Sequence, residues 1–270
     1  MSQKTITFLG TGAADTTKYY HSCFYVTDEK TGLLVDAGGG NGILLQLEKA
    51  NIPIENIRHL FITHKHIDHL FGVFWILRFL GAKIAKEKAE CLSIYTSQNI
   101  IRTIREIAPN FLKEKITDLF DGKINFIAIN DTASVSIDDW KLLPFNLLSG
   151  KEEQFGFRLT FSDKKSIVCL GDEPYKDALF DSCKDADFLL HDAFCLERDR
   201  EQFKPHEIHH STAKEAAEAA KKTSAKNLII FHTEDKSTFG SRKELYTKEA
   251  SEYFGGKIFV PDDLEKIMLV

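Results

Sequence analysis

The stretch FITHKHIDHLFG, residues 61–72, places His64, His66, Asp68 and His69 within six positions, directly after an apolar run. Neutral imidazole and carboxylate are good ligands for zinc, and also for manganese or iron. Four such groups this close together can serve two different ions. The plainer alternative is a solvated polar turn, but histidines set between two apolar elements without a partner would be costly.

Working outward, IRHLFITH (57–64) reads as a strand and IDHLFGVFWILRFLGA (67–82) as a mostly buried helix. Upstream, ITFLG (6–10), SCFYV (22–26) and GLLVDAG (32–38) read as strands, and NGILLQLEKANI (41–52) has helical spacing. Downstream come strands at LSIYT (92–96), KINFIAI (123–129), WKLLPFNLL (140–148), FGFRLTF (155–161), SIVCLGD (166–172), DFLLHDAF (187–194), NLIIFH (227–232) and KIFV (257–260). Helices are expected near 97–118, over 212–222 and near 241–254. Several apolar runs end in a metal-capable or acidic residue: Asp36, His64, Asp172, His191 with Asp192, and His232. Side chains at strand ends are held rigidly yet can reach a cleft, which is the expected layout of an α/β enzyme site.

The bulk properties fit a soluble globular protein. The chain has 270 residues and a formal net charge of -5, so no overall positive field recruits nucleic acid. Its five cysteines, Cys23, Cys91, Cys169, Cys183 and Cys195, are scattered and odd in number, as expected of free thiols in a reducing, cytoplasmic compartment. The N-terminus shows no signal-peptide pattern, and the most apolar stretch contains Arg78 and is short of the ~20 residues a membrane span needs. Without repeats or a low-complexity linker, a single domain over 1–270 is expected.

His64-Lys65-His66-Ile67-Asp68-His69 resembles the HxHxDH signature of the metallo-β-lactamase superfamily. ITFLGTGAA (6–14), LLVDAGGG (33–40), the strand ending in Asp172 and the strand ending in His232 resemble that superfamily's other motifs in matching order. The resemblance implies an α/β fold, the αββα four-layer sandwich with two mixed sheets and helices outside. It also implies a metal centre of His64, His66, Asp68, His69, Asp172 and His232, with Asp172 shared between ions. LLHDAF (189–194) and His210-Ser211-Thr212 are further similar to two motifs of ribonuclease Z, with Asp192 in place of its glutamate. That likeness implies proton transfer by His210 paired with Asp192, with Asp68 as proton acceptor. The other reading of His210 is a polar residue at a helix N-terminus, beside the cap candidate Ser211.

Two departures qualify the resemblance. No histidine lies between His69 and His191, where such enzymes normally add a ligand. PFNLLSGKEEQFGFRL (144–159) offers Glu152 or Glu153 as substitutes, and His21 is a remote alternative, so the site on His64 and His66 is expected to be weak or vacant, for one or two ions in all. Nor is there the Gly/Pro-rich arm with which ribonuclease Z grips transfer RNA. The lysines Lys83, Lys86, Lys88, Lys113 and Lys115 of 82–122 read as solvated helix faces.

The expected activity is metal-dependent hydrolysis, by zinc or by manganese or iron, of a small phosphodiester, such as a cyclic nucleotide, or of a nucleic-acid end. Transfer-RNA 3′ processing without the arm and a non-catalytic metal-binding homologue are the alternatives. No membrane partner is expected, and a homodimer stays open.

Overall fold

The structure is a computed structural model that describes residues 3–131 and 133–269. Short apolar runs build two seven-stranded sheets. In chain order the strands are β1 Thr5–Gly10, β2 Cys23–Thr27, β3 Gly32–Val35, β4 His59–Phe61, β5 Leu92–Thr96, β6 Ile124–Ala128, β7 Val135–Ile137, β8 Trp140–Asn146, β9 Phe155–Thr160, β10 Ser166–Cys169, β11 Phe188–Asp192, β12 Asn227–Phe231, β13 Lys257–Phe259 and β14 Lys266–Met268. The first sheet runs β14-β1-β2-β3-β4-β5-β6, the second β13-β12-β11-β10-β9-β8-β7. Both are mixed. Strands β3 to β6 are parallel in the first sheet and β10 to β13 in the second, while the remaining pairs are antiparallel.

The chain divides into two compact units, each holding one sheet. One comprises residues up to Gly10, Tyr20–Ile129 and from Asp263 onward; the other comprises Thr11–Tyr19 and Asn130–Asp262. In the first, Leu34, Leu60 and Ile94 of the central strands and Val73, Ile76, Leu77 and Leu80 of the helix Gly72–Ile84 share one fully buried core. In the second, Leu189, Leu228 and Ile230 share a core with Ala213, Ala216, Ala217 and Ala220 of the helix Ala213–Lys222. Burial of each large aliphatic side chain contributes roughly 1.5–3 kcal/mol.

The parallel strands set the chemistry. Because β3 and β4 run the same way, Asp36 and His64 leave the same edge of the first sheet. For the same reason Asp172, Asp192 and His232 lie at one edge of the second.

Sequence periodicity overstates two elements. Only His59–Phe61 of the expected strand 57–64 pairs as β4, because Thr63 N–H bonds the Asp36 carboxylate at 2.9 Å instead of a neighbouring strand. The expected helix 67–82 is two pieces, Ile67–Leu70 and Gly72–Ile84. The loop after β3 docks at that break: Ala37 N–H donates to the His69 carbonyl at 2.9 Å, and Gly72 N–H to the Gly38 carbonyl at 2.8 Å. A Cβ on Gly72 would meet the Ala37 carbonyl oxygen at 1.8 Å, so this approach requires glycine. Strands β7 and β14 have three residues each and no clear sequence pattern.

Candidate active site

In the first unit the HxHxDH segment leaves β4 and turns into the short helix that carries Asp68 and His69. His64, Asp68 and His69 are buried. Each of two rings is oriented by a partner on Nδ1. His64 Nδ1 meets Thr63 Oγ1 at 2.9 Å, and His69 Nδ1 meets Asp36 Oδ2 at 2.7 Å. A carboxylate behind a ligating imidazole is the usual way to fix its tautomer and raise its basicity. His64 Nε2 then lies 2.9 Å from His66 Nδ1, and His69 Nε2 lies 3.2 Å from Asp68 Oδ2. Burial pushes the His69 imidazole down, but the Asp68 and Asp36 carboxylates prevail and hold it well above the ordinary value. Nitrogen and oxygen donors converging in a buried, electronegative pocket fit a divalent cation, which would replace the proton.

Asp36 is the hub of this half. Besides His69 it accepts from Thr63 N–H at 2.9 Å and Thr63 Oγ1 at 2.8 Å. Its φ is 55°, a left-handed conformation uncommon outside glycine and typical of functional strand ends.

In the second unit His232 follows β12, also left-handed at φ 58°. Its Nε2 is 4.0 Å from Asp172 Oδ2, and ligand-type atoms of Asp172, His210 and His232 lie within 4.8 Å of one another. The loop beyond His232 is tied down. Glu234 is buried and accepts from Ser237 N–H at 2.8 Å and Thr238 Oγ1 at 2.6 Å. Buried Arg242 donates to Thr233 Oγ1 at 3.0 Å and Thr11 Oγ1 at 2.8 Å.

His210 and Asp192 come together as expected. His210 Nδ1 is 3.2 Å from Asp192 Oδ2, which also accepts from Ser211 N–H at 3.2 Å. The His210 ring stacks between Phe194 and His232, with centroids 5.4 and 5.0 Å away. Burial pushes the Asp192 carboxyl up, but hydrogen bonds from His191 and His210 outweigh it and hold the group well below the usual range. Burial pulls His210 down, while the hydrogen bond and charge of Asp192 raise it overall. The helix after this loop is capped by Thr212, whose side chain and Glu215 form a capping box. Capping therefore needs neither His210 nor Ser211.

Among the described residues, neither Glu152, Glu153 nor His21 joins a cluster of three ligand-type residues. Nothing in the 144–159 segment thus takes the place of the absent histidine as a clustered ligand. Three residues that bear on the site were not apparent from sequence. Thr63 and Phe194 act through contacts that no local pattern reveals. Glu173, buried beside Asp172, accepts from Ser149 Oγ at 2.6 Å, a contact across the fold that the sequence does not reveal.

Among the described residues no helix is long and apolar enough to cross a membrane. A family model described as "Anti-Pycsar protein Apyc1" matches residues 4–245. The ribonuclease Z of Metallosphaera sedula is 25% identical, over 97% of this chain and 98% of its own. Two solved structures are similar. The human short-form tRNase Z has a TM-score of 0.75 at 24% identity, covering 98% of this chain and 99% of its own. YhfI of Bacillus subtilis, a metallo-beta-lactamase fold protein, has a TM-score of 0.79 at 18% identity, covering 98% and 99%. The fold is thus the metallo-β-lactamase fold expected from the HxHxDH stretch.

Proposed function

The chain belongs to the anti-Pycsar protein Apyc1 family, and from that premise we propose that it is a metal-dependent hydrolase of phosphodiesters, resembling ribonuclease Z. The observation that carries this reading is the buried His210–Asp192 pair, the proton-transfer device expected from the two ribonuclease-Z-like motifs. We assign His64, His66, Asp68, His69, Asp172 and His232 as ligands of divalent metal, zinc in the first place. The second ion would rest on Asp68, His69, Asp172 and His232. The first would rest on His64, His66 and Asp172 and bind more weakly.

When bound, a divalent ion acidifies water and neutralises phosphoryl charge. The chain's own residues do the rest. Asp36 and Thr63 lock the ligand tautomers in the first unit. With Nδ1 of His210 committed to Asp192, Nε2 presents a proton to the leaving oxygen. Asp192 holds the ring in that orientation, and Asp68 accepts a proton on the attacking side.

The substrate class is a small phosphodiester, a cyclic nucleotide or a short nucleic-acid end. Support comes from the hairpin between β9 and β10, which is only residues 161–165 and closes through Phe161 N–H to the Lys165 carbonyl at 2.9 Å. It carries no arm. Buried or half-buried free thiols suit the cytoplasm. Because both units are assembled from non-contiguous segments, we take 1–270 to act as one domain. A second copy of the chain is our candidate for the apolar groove of about 820 Å3 that includes Trp75, Phe79 and Phe111. Phe79 is 44% and Phe111 70% exposed, and contiguous exposed aromatics mark interfaces. A monomeric mass by light scattering would remove the dimer.

Loading the protein with zinc, manganese or iron and assaying bis-p-nitrophenyl phosphate and cyclic nucleotides tests the main reading. Metal-dependent turnover is expected. Metal binding without turnover of any diester would instead favour a non-catalytic homologue.

A further inference from the structure

The loop between β8 and β9 is the segment in which the metal-ligand histidine is missing, and it carries Ser149-Gly150-Lys151. The structure fixes this loop firmly. Leu147 N–H donates to the Gln154 carbonyl at 2.9 Å and closes its base. Ser149 Oγ donates to Glu173 Oε1 at 2.6 Å, and Lys151 N–H donates to Ser149 Oγ at 3.2 Å. Lys176 Nζ donates to the Leu147 and Leu148 carbonyls at 2.9 and 3.0 Å and pairs with Glu173 Oε2 at 2.8 Å. Glu173 follows Asp172 directly, so the loop is built onto a residue next to a proposed metal ligand.

The same loop also touches the segment that carries His210. Lys151 Nζ donates to the Ile208 carbonyl, two residues before His210. A Cβ on Gly150 would lie 3.2 Å from the His209 ring. Leu148 and His209, one on each loop, are left-handed at φ 56° and 59°. Such conformations persist in non-glycine residues only where the surroundings over-determine them, and they cluster at functional sites. Lys151 is close enough for its charge to oppose the rise that Asp192 imposes on His210.

Among the described residues the Lys151 ammonium meets a neutral carbonyl and no carboxylate, unlike Lys176, Lys184, Lys222, Lys226 and Lys236, which all pair with acids. Its loop bonds the buried Glu173 through Ser149 and lies close to His210, the partner of Asp192. A phosphodiester carries a negative charge into these surroundings and needs a cation there. A lysine ammonium is a compact point charge well suited to phosphate oxygens.

We propose that Lys151 is a substrate-binding residue that receives the anionic phosphate beside His210, exchanging its Ile208 carbonyl contact for a phosphate oxygen. This rests on the phosphodiesterase reading above. It assigns to the β8–β9 loop an electrostatic role in place of metal ligation.

The test compares wild type with Lys151→Gln, Lys151→Ala and Lys151→Arg, each checked for unchanged metal content and melting temperature. Two readouts are needed: kcat and KM on bis-p-nitrophenyl phosphate, and calorimetric Kd for a non-hydrolysable phosphorothioate diester. Loss of one charged contact from exposed Lys151 should raise KM and Kd by about 5- to 30-fold in the Gln and Ala variants. Their kcat should stay within about 2-fold, arginine should restore much of the affinity, and added salt should weaken wild type more than the Gln variant. Unchanged KM and Kd in Lys151→Gln, or a fall in kcat alone, overturns the proposal. Should wild type bind the diester through Lys151 without hydrolysing it, the hydrolase reading fails while this one stands.

Discussion

His210 Nδ1 lies 3.2 Å from Asp192 Oδ2, and Asp192 is fully buried. This contact holds the ring in one orientation, and under our proposal Nε2 is the atom that would transfer the proton. His210→Ala should leave metal content intact and reduce turnover of diesters with poor leaving groups by about 10²–10⁴-fold, the usual contribution of positioned proton transfer. Nitrophenolate needs no protonation, so its esters should lose much less. Equal loss on both substrate types would assign His210 to binding or structure.

The two proposed ions should differ in affinity. As proposed, Asp68, His69, Asp172 and His232 would give one ion a full set, with His69 backed by Asp36 at 2.7 Å. The ion on His64 and His66 lacks a third histidine, and no acid of the β8–β9 loop joins a ligand cluster among the described residues. Mild chelation followed by elemental analysis should leave close to one ion per chain. Two ions retained with equal tenacity would contradict the assignment.

The site was legible where its chemistry is local. HxHxDH is contiguous, and the strand-end positions of Asp36, Asp172, Asp192 and His232 follow from apolar runs that stop on a polar residue. Thr63 was silent because its meaning comes from Asp36, far away in sequence. Lys151 was silent for a similar reason: a lysine in a polar loop looks like any solvated charge until the Ile208 carbonyl is placed beside it. The break at Phe71 was illegible because the 67–82 pattern is helical throughout. What interrupts it is the docking of the Gly38 loop, a tertiary contact that overrides local periodicity.

Thiol chemistry offers a test independent of activity. Cys23, Cys169, Cys183 and Cys195 are buried, and Cys91 is half-buried. Burial pushes the Cys183 thiol up to about 12, against a smaller opposing effect of Arg158. An acid raised in the folded state contributes stability that is fully present below its unfolded pKa, near 8.5 for cysteine, and is lost as pH rises toward the folded value. Stability should therefore decline above about pH 8.5, and Cys183→Ala should flatten that decline. With a thiol reagent at pH 8, Cys91 should react in the folded protein and the other four only on unfolding. Rapid labelling of Cys183 under native conditions would refute the assignment.

Substrate size separates the leading reading from transfer-RNA processing. Binding a folded RNA depends on many phosphate contacts, and affinity falls steeply with salt as counterions are released. This chain has a net charge of -5 and only a short hairpin between β9 and β10. Its middle lysines form no clean basic face: Lys83 pairs with Glu55 at 3.1 Å, and exposed Lys86, Lys88, Lys113 and Lys115 are interleaved with exposed Glu87, Glu90 and Glu114. Under our proposal a small diester would need only the metal ligands, the His210–Asp192 pair and one nearby cation. In competition at moderate salt, a cyclic nucleotide or other small diester should be turned over in preference to a transfer-RNA precursor, whose binding should be weak and non-selective. Cleavage sites on the precursor should be mapped in the same experiment. Efficient cutting at its 3′ boundary would reverse the assignment, and a basic surface on a second copy of the chain would then have to stand in for the arm.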